Sequence, residues 1–169
     1  MQNITGIEEI TPTWLTETFQ KTGHLESGSV ENIVFQGGSD IPVGTPKIHK
    51  AVITYSKDVD CDIPSNIIFK FASREKDYYF YKNIVKRLPQ RFVPICYLAL
   101  QNKEKSQALL LIEDLSRTHS QTEWPVVPNF KDCKPAIGKL AALHALWWNH
   151  PHLDTDLLPM LTHGNYWHG

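Results

Sequence analysis

The chain has 169 residues, of which 41% are hydrophobic and 11% aromatic, enough apolar material for a packed interior and too much for a disordered chain. Seventeen Lys and Arg against 18 Asp and Glu leave a net charge of −1, so no global basic field points to a nucleic-acid partner. The apolar run Ala108–Ile112 falls far short of the ~20 residues of a membrane-spanning helix, and Met1-Gln2-Asn3-Ile4 lacks the regions of a signal peptide.

Thr11-Pro12-Thr13-Trp14-Leu15-Thr16-Glu17 reads as a helix start: Thr11 can cap, Pro12 suits the first turn, and Trp14, Leu15 and Phe19 supply an apolar side. Gly23 and Gly28 break that helix. Val30–Gln36 reads as a strand, followed by a Gly37-Gly38-Ser39-Asp40 turn. Ile48–Tyr55 and Asn66–Ala72, rich in β-branched and aromatic residues, read as two more strands, with Asp58–Ser65 the loop between them. Arg74–Leu88 has helical period, with Phe80, Tyr81, Ile84, Val85 and Leu88 as its buried stripe. Val93–Leu100 and Gln107–Ile112 are two further strands joined by Gln101–Ser106. Ser116–Asn129 is a polar linker. From Pro135 an amphipathic helix runs to about Asn149, with Ile137, Leu140, Ala141, His144, Trp147 and Trp148 on one face. The expected class is α+β, a strand-rich lobe followed by a helical one.

Alternation along Asn66–Ala72 puts Ile67, Phe69 and Phe71 on one face and Ile68, Lys70 and Ala72 on the other. A lysine on an apolar face calls for a partner or a ligand, unless it lies at a sheet edge with its ammonium in water. In the following helix, Asp77 falls on the same stripe as Phe80, Tyr81 and Ile84 and is the natural ion-pair partner of Lys70. Such a pair fixes the ammonium where it can hold phosphate oxygens.

Leu109-Leu110-Leu111-Ile112-Glu113-Asp114-Leu115 is an apolar strand ending on two acids. It reads either as a central strand with a solvated turn or as a hinge whose backbone groups at Glu113 and Leu115 meet an adenine edge. Gly37 and Gly38 read as an ordinary turn or as a hairpin over phosphates. Cys61, Cys96 and Cys133 contain no C-x-x-C pair, and the eight histidines show no zinc spacing, so free thiols in a reducing cytoplasm and no metal ligands are expected.

Several of these segments in order resemble the aminoglycoside phosphotransferase and choline kinase-like superfamily, nearest its ecdysteroid-kinase-like, CHK-type branch. They are Ile10-Thr11-Pro12-Thr13-Trp14-Leu15, Pro64-Ser65-Asn66-Ile67-Ile68-Phe69-Lys70, Phe80-Tyr81, Val93-Pro94-Ile95-Cys96-Tyr97, Leu110-Leu111-Ile112-Glu113-Asp114-Leu115 and Leu140-Ala141-Ala142-Leu143-His144-Ala145-Leu146-Trp147-Trp148. The resemblance implies a protein-kinase-like fold: residues 1–115 as the nucleotide-binding lobe, an antiparallel sheet plus one helix, and residues 116–169 as the linker and start of an incomplete helical lobe.

It further implies transfer of the γ-phosphoryl of ATP, with Mg²⁺, to a small-molecule hydroxyl. Lys70 and Asp77 would grip the phosphates, Gly37 and Gly38 cover them, and Glu113 to Leu115 hold adenine. Asp77 replaces the family's glutamate, one methylene longer, so a closer helix or a bridging water is expected. His163-Gly164-Asn165 resembles the start of the family's His-Gly-Asp catalytic loop. Asn165 stands at the position of the base, and a neutral amide cannot take a proton as a carboxylate does. The expectation is therefore an incomplete and inactive kinase chain without its Mg²⁺ ligands. The alternative is a non-catalytic module that binds nucleotide or self-associates through the apolar helix face.

Overall fold

A computed structural model describes residues 4, 6–36, 47–72, 76–89, 92–104, 107–119 and 126–151, and in it helix α1 (Pro12–Thr22) is the first long element. Thr11 caps the helix by accepting a hydrogen bond on its Oγ1 from the Trp14 N–H at 3.1 Å. Pro12 occupies the first turn, where its missing N–H leaves no bond unmade. The helix ends at Gly23, whose φ of 77° is the left-handed conformation of a C-terminal cap. Trp14, Leu15, Thr18 and Phe19 are buried.

The strands in chain order are β1 (Leu25–Ser27), β2 (Val30–Gln36), β3 (Lys47–Tyr55), β4 (Asp60–Cys61), β5 (Asn66–Ala72), β6 (Cys96–Asn102) and β7 (Gln107–Glu113). They form two antiparallel sheets, a ribbon of β1 with β4 and a five-stranded sheet in the order β2-β3-β5-β7-β6. The ribbon departs from expectation, since residues 58–65 read as pure loop. Strands of two and three residues are too short to leave an alternation pattern. Gly28, between β1 and β2, has a φ of 81°, and a Cβ there would collide with Ser56 and the Val59 backbone, so only glycine fits. Strands β2 and β5 keep their expected limits. Strand β6 starts three residues later than expected, past Pro94, which cannot donate to a ladder.

One face of the large sheet carries the core. Ala51 and Ile53 of β3, Ile67 and Phe69 of β5, Leu109 and Leu111 of β7 and Leu98 of β6 pack with Leu15 and Phe19 of α1. Phe35 meets Phe69 edge to face, with ring centres 5.2 Å apart. Period-2 alternation then turns Ile68, Lys70 and Ala72 to the opposite face. That face is covered over β6 and β7 by the segment between β5 and β6.

The segment begins as helix α2 (Lys76–Tyr79), widens into a π turn over Phe80–Ile84 and tightens to 3₁₀ at Val85–Arg87. The stripe expected to be buried (Phe80, Tyr81, Ile84, Val85, Leu88) is only half-buried. A π turn carries more residues than an α turn, so side chains spaced for 3.6 residues no longer align on one face.

Helix α3 (Phe130–Trp147) begins five residues before the expected Pro135, because Asn129 caps it by accepting from the Asp132 N–H at 3.0 Å. Pro135 thus lies inside the helix. The helix has no buried residue, and Phe130, Ile137, Leu140 and the adjacent Trp148 are exposed. The Lys139 ammonium lies 4.8 Å over the Phe92 ring. The chain divides into two compact units, Met1–Arg87 with Val93–Arg117, and Leu88–Phe92 with Thr118–Gly169. Among the described residues, no helix is long and apolar enough to cross a membrane.

Candidate functional site

Strand β5 lies at the middle of its sheet, so Lys70 is not an edge lysine. In register, Lys70 faces Ile48 of β3 on one side and Leu110 of β7 on the other. A charge between two aliphatic neighbours needs compensation. Asp77 of α2 supplies it, with its Oδ2 3.0 Å from the Lys70 Nζ. The shorter aspartate therefore reaches the lysine directly, with no bridging water.

Helix α2 is brought that close because it packs against β6 and β7, where the Gln101 amide donates to the Tyr79 hydroxyl at 3.1 Å. Tyr81 follows on the same segment. Burial, reinforced by the neighbouring Cys96 and Asp77, pushes its hydroxyl up to about 12, so Tyr81 is neutral across the physiological range.

The Lys70 side chain is 22% exposed and that of Asp77 36%, so the pair is fixed yet open to solvent. Directly across from Lys70 on β3, Ile48 is 44% exposed, and farther along the same face Val34 of β2 is 48% exposed. A fixed ammonium next to an apolar platform suits a ligand with one anionic and one flat apolar end. Its donor chemistry fits polyphosphate oxygens.

A second lysine shares this face. Lys50, two residues along β3 from Ile48, lies opposite Ile68. Its Nζ is 2.8 Å from the Asp114 Oδ2 and donates to the Ser116 Oγ at 2.9 Å. The Asp114 side chain is only 5% exposed, and its other oxygen accepts the Ser116 N–H at 2.9 Å. Burial alone would raise this carboxyl. The hydrogen bonds from Lys50 and Ser116 outweigh it and hold the pKa at about 2. Sequence reasoning missed this cluster. Its available signal is that Lys50 shares the alternation of Ile48 and Val52.

At the end of β7 one of the backbone groups expected to meet a ligand is used within the sheet. The Glu113 N–H is not exposed for a ligand; it donates to the Ile95 carbonyl at 2.8 Å, and the Glu113 carboxylate accepts the Ile95 N–H at 3.2 Å. An antiparallel sheet pairs the last residue of β7 with the approach to β6, so this donor is spent on the ladder. Leu115 is half-buried and holds an interaction of its own.

Gly37, Gly38, His163 and Asn165 lie outside the described residues. Among the described residues, no three His, Cys, Asp or Glu side chains gather to hold a metal ion. Cys61, Cys96 and Cys133 are free thiols, and burial pushes the Cys96 thiol up to about 12. No family of known proteins, no characterised protein and no solved structure matches this chain.

Proposed function

We propose that the unit containing the large sheet binds a nucleoside triphosphate and serves an ATP-dependent phosphotransferase acting on a small-molecule hydroxyl. One observation carries the reading: the Lys70–Asp77 pair, joining a central strand to the helical segment that follows it, at the border of an open aliphatic platform. Its support is topological as well. An antiparallel sheet with a helical segment inserted between β5 and β6 agrees with the sheet-plus-one-helix lobe that the resemblance implies.

In this reading Lys70 holds phosphate oxygens, and Asp77 keeps the ammonium charged and aimed. Ile48, Val34 and Ile68 form the floor for the base. Residues 113–115 pass along the edge of that floor. Mg·ATP would supply the phosphoryl group: the acceptor oxygen bonds to phosphorus, the bond to ADP breaks, and the hydroxyl proton passes to solvent water.

Calorimetric titration with Mg·ATP tests the binding step. The native chain should bind saturably, and Lys70→Ala, still folded by circular dichroism, should bind at least about tenfold more weakly. A native chain that folds but binds no nucleotide overturns the proposal.

A further inference from the structure

Two lysines share the open face, yet they are used differently. Exposure does not separate them, since the Lys50 side chain is 33% exposed and that of Lys70 22%; their bonding does, for the Lys70 ammonium pairs with Asp77 alone among the described residues. Lys50 is committed to the protein. Its Nζ bonds both the almost fully buried Asp114 carboxylate and the Ser116 hydroxyl, while the same carboxylate takes the Ser116 N–H. The three residues thus form a closed ring of bonds.

The geometry of the sheet gives this ring its consequence. Strands β3 and β7 are separated by β5, which places them about 10 Å apart. Lys50 and Asp114 can meet only if their side chains cross the surface of β5 beside Ile68. The first residues after β7 are therefore tied back over the sheet by a side chain from two strands away. Asp114 follows Ile112 in the alternation of β7, on the same face.

We propose that Lys50 is a positioning residue: its bridge to Asp114 and Ser116 sets the path of residues 113–116 along the end of the platform where the base of a nucleotide docks. This rests on the nucleotide-binding reading and adds a residue that grips the protein rather than the ligand. Lys70 serves the phosphate end and Lys50 the base end.

Three variants and two probes separate these roles. Lys50→Met keeps the aliphatic stem and removes the charge, Lys50→Arg restores the charge, and Lys70→Ala marks the phosphate end. Affinity is measured for ATP and for inorganic tripolyphosphate, which has no base. Lys50→Met should lose about tenfold for ATP and keep native affinity for tripolyphosphate, with recovery in Lys50→Arg. Lys70→Ala should weaken both probes. Hydrogen exchange on the full native chain and on Lys50→Met supplies a readout without ligand. The amides of 114–117 should exchange on the order of tenfold faster in the variant, with the core of β5 and β7 unchanged.

Equal losses for both probes in Lys50→Met would make Lys50 a phosphate ligand and overturn the proposal. Unchanged exchange at 114–117 would overturn it too. A native chain that binds neither probe overturns the nucleotide reading itself, and with it the base-positioning role. The exchange data then decide only whether the bridge orders the segment.

Discussion

Asp114 keeps its charge because each oxygen has a donor: Lys50 on Oδ2 and the Ser116 N–H on Oδ1. Its carboxyl titrates at about 2 in the folded chain against about 3.9 when unfolded. A lowered folded value contributes stability that is complete above the unfolded pKa and is lost as the pH falls through the folded one. The window is therefore roughly pH 4 down to 2. Urea unfolding should show Asp114→Asn less stable than native by about 1 kcal/mol at pH 7, the deficit shrinking as pH drops below 4. A deficit independent of pH would mean that shape, not charge, matters at this position. Lys70 and Asp77 were legible in the sequence because strand alternation fixes one and helical spacing the other. Lys50 and Asp114 were not. Their meeting depends on which strands are neighbours, a fact that no local pattern contains.

Helix α1 is the element whose sequence signals agree most fully with its structure. Cap, first-turn proline, apolar side and terminal glycine all fall in place. Thr16 adds what the sequence does not announce: its hydroxyl donates to the Pro12 carbonyl at 2.9 Å and accepts the Val30 N–H at 2.9 Å, tying the helix to the start of β2. Thr11→Ala removes the cap acceptor for Trp14 and should cost about 1 kcal/mol in denaturant unfolding, with Thr11→Ser close to native. If Thr11→Ser is as damaging as the alanine, the methyl group rather than the cap oxygen is the source of the effect. The other helices show where such signals mislead. At α3 a helix start was expected at Pro135, but Asn129 caps the helix five residues earlier and the proline is tolerated inside it at the cost of one backbone bond. Along α2 the period was correct but the turn was not uniform, and a π turn has no composition of its own.

At the scale of the molecule, the large sheet separates two tasks by its two faces. One face is sealed by α1: Leu15, Phe19, Ile67 and Phe69 are wholly buried and supply stability. The other holds Lys70, Lys50 and an open aliphatic strip. Strand types and most strand limits were readable from residues, whereas the order β2-β3-β5-β7-β6 was not, because pairing between distant strands leaves no local trace. Two faces with separate tasks should respond separately to mutation. Leu15→Ala opens a cavity in the sealed face and should lower stability by about 2–5 kcal/mol, seen as a fall in melting temperature. Mg·ATP at ~100 times its dissociation constant should stabilise the native chain by about 2.7 kcal/mol. The same increment should appear in Leu15→Ala, measured from its lower baseline. Lys70→Ala should show the reverse, a melting temperature near native with most of the increment gone. Loss of the increment in Leu15→Ala, under conditions where that variant is still folded, would mean that the ligand reads the sealed core as well as the open face, and the division of labour between the two faces would fail.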